Sequence, residues 1–539
     1  VIEALGATAA ALAVGFAILD HPSRRRALMT LLALVSVPIL IAADQWNATQ
    51  VAELRASPAL LALALTFGGG LVLALAALIH RKPVLLPVLI LVALPFRVPL
   101  GIGGEDANLL LPLYLVTAAG VLVLAFHEWN GVSGLTGRDR DDAAPSNPPS
   151  GVASWLKPLL ALSVLLYALG LFYSDDRSQG LLNFCFFLVP FALVFVLMNE
   201  VEWNRRNLRT ALIAVIGLAL VWALVGFASY ATRELLWNEV VIRSNDFHVY
   251  FRVNSLFWDP NVYGRYLALV ISVVAAALIW TKNQRDGIAL AVVAGVLWLA
   301  LITTFSQSSF IALIAGLAVL IALRWSLKLV IGGIGALAVL TLLFAVFAGG
   351  LVKLDLSRLN PQTAGRADLV SGGIELFTDR PVLGYGPGAF SLSFREEIAG
   401  PNAPVTESHT EPVTVAAEQG LVGMAVYIAL LVSSLVALTA GMRAVMPGLS
   451  RRRAAPPPDP DRARGSDPDR DPNPDRASDP DRGPDRGPPP AARAALLAAY
   501  VAVLVHTLTY AGYLDDPVTW VILAVGYSLA FPCRATSAA

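Results

Sequence analysis

The chain has 539 residues, 56% of them hydrophobic and 14% charged, with a mean hydropathy of +0.65 and no formal net charge. A soluble protein of this length needs a far more charged surface, so the composition specifies an integral membrane protein. Zero net charge argues against nucleic acid as a partner.

A helix needs about twenty apolar residues to cross the hydrocarbon of a bilayer. Runs of this kind at Ile2–Leu19, Ala27–Ala43, Pro58–Ile79, Pro83–Phe96 and Ala107–Phe126 make an N-terminal membrane block over residues 1–126. The first run lacks a basic leader and a clean cleavage site, so it reads as a span and not as a signal peptide. A polar linker follows at 127–154, rich in Gly, Asp, Pro and Ser. The central block, 155–348, holds Trp155–Tyr173, Gly180–Met198, Leu208–Tyr230, Asn261–Trp280, Gly287–Thr303, Ser308–Leu323 and Ser326–Ala348. The largest break in hydrophobicity comes next, a loop over 349–418. A span at 419–446 leads to a second linker, 447–492, which repeats the unit Pro-Asp-Arg and has too few apolar residues to bury a core, so disorder is expected there. The C-terminal block, 493–539, contains Arg493–Ala511 and Pro517–Phe531. The expected fold is therefore an all-α polytopic membrane protein of about 12–15 spans, Pro83–Phe96 being short enough to be re-entrant.

Basic residues orient such a protein, because Lys and Arg accumulate in cytoplasmic connections. Arg24-Arg25-Arg26, Arg81-Lys82, Arg205-Arg206, Lys282 with Arg285, Arg324 with Lys328, and Arg451-Arg452-Arg453 fall in alternate connections. Placing them together inside puts both linkers in the cytoplasm and the 349–418 loop outside. The two cysteines, Cys185 and Cys533, sit in or beside apolar runs and read as small buried hydrophobes.

Charged residues are expensive near a bilayer, so the long loop is where chemistry is sought. His409 has Glu407 and Glu411 at i−2 and i+2, which on an extended segment share its face. An imidazole beside carboxylates keeps its pKa near or above neutrality and suits a general base. Taken alone, His409 reads first as a loop histidine with no task. A second signal is the number of arginines outside, where the positive-inside bias should deplete them: Arg233, Arg243, Arg252, Arg358, Arg366, Arg380 and Arg395. Arg265 lies in the first turns of a span, facing the bundle interior or snorkelling outward. Guanidinium forks bind phosphate through paired hydrogen bonds, so the group suggests an anionic ligand. Headgroup contacts and ion pairs are the plainer reading of any one of them.

The Gly384-Tyr385-Gly386-Pro387-Gly388 run reads first as a tight turn closing a short helix over about 367–377, and second as an anion-binding nest. Asp259-Pro260-Asn261 reads as a helix start. Ser306 and Ser308 lack a nearby histidine and show no nucleophile arrangement. The chain contains no zinc-protease or Walker motif, so its sequence gives no support to a metal-dependent or ATP-driven mechanism, and no cofactor is expected.

Four segments, in order, resemble the O-antigen ligase and O-antigen polymerase superfamily. They are Arg252 through Asp259-Pro260-Asn261 before a span; Thr304-Phe305-Ser306-Gln307-Ser308-Ser309; Gly365-Arg366 with Asp379-Arg380 and the glycine turn; and Ser408-His409-Thr410 with Glu418-Gln419-Gly420-Leu421-Val422-Gly423. The likeness spans Arg252 to Tyr427. Gln307 and Thr410 stand where the family usually has arginine and asparagine. The resemblance implies a glycosyltransferase-C-like membrane enzyme acting at the outer face of the cytoplasmic membrane. Such an enzyme takes a glycan from an undecaprenyl-diphosphate carrier, without metal or nucleotide, to a glycan, lipid or cell-wall acceptor. It casts His409 as the base, Arg366 and Arg252 as holders of the departing diphosphate, and Arg265 and Arg380, with Glu407 and Glu411, as further substrate-binding residues. Inversion at the anomeric carbon is expected. The competing readings are a flippase for the same lipid-linked oligosaccharide and a membrane scaffold.

Overall fold

The computed structural model describes residues 1–46, 52, 56–102, 105–132, 135, 148–236, 238–246, 250–333, 366–400, 403, 408–442 and 489–532. In chain order the helices are α1 (Ile2–Leu19), α2 (Arg24–Asp44), α3 (Pro58–Arg81), α4 (Leu85–Ala93) and α5 (Leu111–Trp129). They continue with α6 (Leu156–Gly170), α7 (Arg177–Asn183), α8 (Val189–Asn199), α9 (Arg205–Thr232), α10 (Glu239–Asp246), α11 (Pro260–Trp280), α12 (Gln284–Thr304) and α13 (Gln307–Arg324). The last are α14 (Arg366–Asp379), α15 (Phe390–Phe394), α16 (Glu411–Thr439), α17 (Pro490–Thr507) and α18 (Pro517–Ala530). Among the described residues, 12 helical stretches are long and apolar enough to cross a membrane, one of them Arg177–Asn199, where a π-helical turn at Phe184–Leu188 joins α7 to α8. The protein is an all-α polytopic membrane protein.

Three expected spans come out differently, among them Pro517–Phe531, which forms the 14-residue α18 and is not one of the twelve. Pro83–Phe96 shrinks to α4, whose nine residues reach about 14 Å at 1.5 Å per residue, too short to cross. The run at 107–126 starts late, because residues 105–109 pair with 98–102 in an antiparallel hairpin, β1 (Val98–Ile102) and β2 (Glu105–Leu109), with Val98 opposite Leu109. Of the expected span 326–348, residues 334–348 lie outside the described residues, as do half of the linker 127–154, most of the linker 447–492, and Cys533. Cys185 is buried and unpaired.

Lipid tails are as apolar as leucine, so helices in a bilayer associate through close packing and small residues. Helix α1 does this with Ala4, Ala7, Ala11, Val14 and Ile18, a buried stripe at helical spacing against α2 and α6. Leu65 and Phe67 on α3 stay exposed, apolar surface of the kind lipid covers. Phe195 on α8 meets the buried Trp520 of α18 edge-on at 6.4 Å. A second cluster gathers Trp222, Phe257 and Tyr263 between α9, α11 and α12.

Polar contacts define the two ends of the bundle. At one end the buried Arg26 donates from Nε to Glu128 and from Nη1 to Glu200, both at 2.8 Å, while His80 and His127 meet at 2.9 Å. The connections after α1, α3, α5 and α8 therefore share that end. The opposite end carries the starts of α7, α11 and α18, the glycine turn and the segment 508–516. There a small cap of Leu376, Tyr385, Phe390, Phe394 and Ala417 packs under α14 and α15. Gly420 joins this cap to the membrane helix. Its φ of 60° and ψ of −157° kink α16, and a Cβ there would lie 2.4 Å from the Val382 carbonyl carbon and oxygen. Only glycine tolerates that conformation at that approach. The break lets Leu421 N–H donate to the Pro381 carbonyl at 2.8 Å.

Candidate functional site

The site is assembled at the end of α17 by residues far apart in sequence. Asp259 caps α11, its carboxylate accepting from Asn261 N–H at 2.6 Å, and Pro260 supplies the preset first turn. That start aims the Asn261 amide oxygen at two donors, Arg252 Nη2 at 3.1 Å and Ser306 Oγ at 2.9 Å. Arg252 is fixed further by Nε to the Thr304 carbonyl at 3.2 Å and by its N–H to the Asn245 side chain at 2.9 Å. Ser306 caps α13 and lies 3.0 Å from Ser308 Oγ and 2.8 Å from Ser309 Oγ. These two hydroxyls stand 3.3 and 3.4 Å from Nε2 of His506, a fully buried histidine on the last turn of α17.

The serine reading from sequence therefore needs correction. Ser308 does have a histidine beside it, contributed by a helix that local sequence cannot place there. Among the described residues His506 Nδ1 has no hydrogen-bond partner, so no third group there orients this pair. The cluster works as a hydrogen-bonded layer joining α11, α13 and α17, not as a nucleophile with its base.

Tyr510 carries the contact outward. Its ring centroid is 5.8 Å from His506 and 5.9 Å from His409. Arg366, at the start of α14, donates from Nη1 to the Thr509 carbonyl at 3.4 Å. Burial and the Arg366 guanidinium hold the His409 pKa below the usual histidine value, with Asp259 pulling the other way. The direction is opposite to that expected from the flanking glutamates. Glu411 turns inward, its Oε2 accepting from Gly512 N–H at 2.7 Å and Tyr513 N–H at 3.2 Å, and Glu407 lies outside the described residues. His409 itself sits at φ 59°, the left-handed region, a conformation that side chains other than glycine adopt at some cost.

The other candidate residues are distributed unequally. Arg265 is buried, with Nη2 at 2.6 Å from Asp516 and Nη1 donating to the Gly512 carbonyl at 3.2 Å. With Glu411 it clamps the backbone at Gly512 from both sides. Arg380 belongs to the glycine turn, bridging Asp175 at 2.9 Å with its guanidinium 4.0 Å over the Tyr385 ring. Tyr385 OH donates to Asp379 at 2.6 Å, and desolvation together with that carboxylate pushes its pKa up to about 12. In the turn, the N–H groups of Gly384, Tyr385 and Gly386 are spent on the Arg380, Ala417 and Glu418 carbonyls, which fits a structural turn and not an anion nest. Arg366 and His409 thus come together about the 509–510 segment, and Arg252 joins them through Asn261, Ser306 and His506. Sequence reading missed His506, Tyr510 and the reach of Asp259. The one available signal was a lone histidine inside an apolar span.

Residues 290–428 match the family model of the O-antigen ligases. Over that segment, well under half of its length, the chain is similar to the O-antigen ligases. The matched segment runs from α12 into α16 and holds Arg366, Arg380, Glu407, His409 and Glu411, while Arg252, Arg265 and His506 lie outside it. The match implies a glycosyltransferase-like ligase or polymerase, a class that works with lipid-linked glycans and acceptors. No curated protein matches the chain.

Proposed function

We propose that this O-antigen ligase-like protein moves a glycan from an undecaprenyl-diphosphate carrier to an acceptor hydroxyl at the outer face of the cytoplasmic membrane, as ligase or polymerase. On this reading the 349–418 loop is extracytoplasmic and both linkers are cytoplasmic. The acceptor oxygen attacks the anomeric carbon, the bond from that carbon to the diphosphate breaks, and the diphosphate leaves with the electron pair. His409 takes the acceptor proton. Burial beside Arg366 supports this role, because an imidazole with a lowered pKa is neutral and able to accept a proton at neutral pH. Arg366 and Arg252 stabilise the charge on the departing diphosphate, Arg252 with its fork set by Asn261 and Thr304. Arg265 and Glu411 position the segment around Gly512 instead of touching the donor. A single displacement gives inversion. The observation that carries the proposal is the approach of His409 and Arg366 on one segment that matches a glycan-transferring family.

The test is glycan transfer in proteoliposomes holding the purified full chain, an undecaprenyl-diphosphate oligosaccharide and candidate acceptors, with chelator throughout. Release of undecaprenyl diphosphate with a newly attached glycan, lost in His409→Ala and Arg366→Ala, is the expected result. A glycan that crosses the bilayer still joined to its lipid, equally in all variants, replaces the transferase with a flippase.

A further inference from the structure

A cavity of about 480 Å³ opens beside the candidate site, between α6, α7, the glycine turn and the first turns of α16. Its size falls within the range of roughly 300–1,000 Å³ typical of small-molecule sites. It shares a wall with the site. Glu411 and Thr414 line it, and these residues also grip the surroundings of His409: Thr414 Oγ1 is 2.7 Å from Ser408 Oγ, and Glu411 holds the backbone of Gly512 and Tyr513. The segment from Tyr510 to Leu514 is the partition. Its Tyr510 ring faces His409, whereas Ala511, Tyr513 and Leu514 line the cavity.

The lining differs in chemistry from the arginine side. Amide and hydroxyl groups come from Gln179, Asn183, Ser391 and Gln419, and ring surfaces from Tyr167 and Tyr427. Asp176, Glu411, Glu418 and Asp515 bring carboxylates to the lining against one guanidinium there, Arg395, although Asp176, Glu411 and Glu418 each also accept from backbone N–H groups. A diphosphate would meet net negative charge there and is disfavoured. Sugar hydroxyls both donate and accept hydrogen bonds, and sugar rings present apolar faces that lie flat on aromatic side chains, so amides, carboxylates and tyrosines suit them. An excess of carboxylates favours neutral or amine-bearing sugars over uronic acids.

We propose that this cavity binds the acceptor saccharide, a neutral or amine-bearing sugar, and presents its hydroxyl to His409 across the end of the Tyr510–Leu514 partition. The inference rests on the glycan-transfer reading above, and it divides the two substrates: carrier diphosphate on the Arg252 and Arg366 side, acceptor on the Gln179 and Asn183 side.

The test uses Gln179→Leu and Asn183→Leu in the full chain, with unchanged thermal unfolding as the control for folding. In the transfer assay the acceptor KM should rise at least tenfold in both variants, with donor KM within twofold and kcat within threefold of the parent. An unmoved acceptor KM in both variants, or a raised donor KM, overturns the assignment. Equilibrium binding of labelled chitobiose and of a uronic-acid disaccharide to nanodisc-held protein needs no donor, so it stands apart from the transfer reading. Chitobiose binding to the parent, tighter than the uronic acid and weakened at least tenfold by either substitution, supports the cavity even where no transfer is seen, and then only the transferase falls. No chitobiose binding to the parent, or equal affinity in parent and variants, overturns it.

Discussion

His409 and Tyr510 stand ring to ring, 5.9 Å between centroids, although one belongs to the long loop and the other to the connection between α17 and α18. This contact makes the C-terminal helices part of the site. Tyr510 also meets His506 at 5.8 Å, so the loop histidine is seated on a layer that reaches back to Arg252 through Ser306 and Asn261.

The pH profile should reveal the charges around His409. Its pKa lies below the ordinary value of about 6.5, and the active base is the neutral form, so the acid limb of kcat/KM should fall below that value. Arg366→Gln removes a positive charge that disfavours protonation, so the pKa rises and the limb moves up. Asp259→Asn removes the opposing negative charge and moves it down, while asparagine still caps α11. A limb that moves the same way in both variants would contradict the electrostatic assignment.

Arg252 is expected to act through its geometry as well as its charge. Lysine cannot serve Asn261 and Thr304 together while presenting a second nitrogen, so Arg252→Lys should raise the donor KM by about 10- to 100-fold. An unchanged donor KM in steady-state assays would remove Arg252 from the diphosphate site.

The buried charges at the other end should matter for stability alone. Glu128→Ala leaves the Arg26 guanidinium short of a partner and should cost on the order of 3–5 kcal/mol in unfolding free energy. Thermal unfolding in detergent measures the loss, with turnover at low temperature near that of the parent.

The kink at Gly420 is a further structural test. Gly420→Ala forces a Cβ onto the Val382 carbonyl at a left-handed φ, costing on the order of 1–3 kcal/mol for the backbone strain alone. Because Glu411 and Glu418 stand on the segment this kink orients, turnover should fall together with stability.

Much of the fold was legible because lipid imposes a simple rule. A span must be a long apolar helix, and Ile2–Leu19 therefore appears in the structure with the boundaries read from its composition. Where that rule weakens, so did the reading: Pro83–Phe96 is apolar enough but ends in a hairpin, and length decides what hydropathy cannot. The short helix before the glycine turn was visible from its pattern and forms as α14. In the site, Arg366 and Arg252 stood out with five other arginines as charges outside, whereas His409 was singled out only by the resemblance to the ligases. His506 did not stand out, because its serine partners lie on another helix and only packing brings them together. The direction of the His409 pKa was misjudged for the same reason. Sequence neighbours suggested glutamates, while in space Glu411 is spent on backbone N–H groups, and burial first and the Arg366 guanidinium second lower the His409 pKa.

The most direct measurement is a double-mutant cycle on single-turnover glycan transfer, with His409→Ala, Arg366→Ala and the pair in proteoliposomes. In the proposed reaction His409 and Arg366 act in one step, and residues that act as a unit are strongly non-additive. Each single variant should lose at least a hundredfold in rate, within the usual range for a positioned base of about 10²–10⁴. The pair should be no more than about threefold slower than the slower single variant. Transfer by His409→Ala at the parent rate, or losses that simply multiply in the pair, would contradict a shared transition state at these two residues.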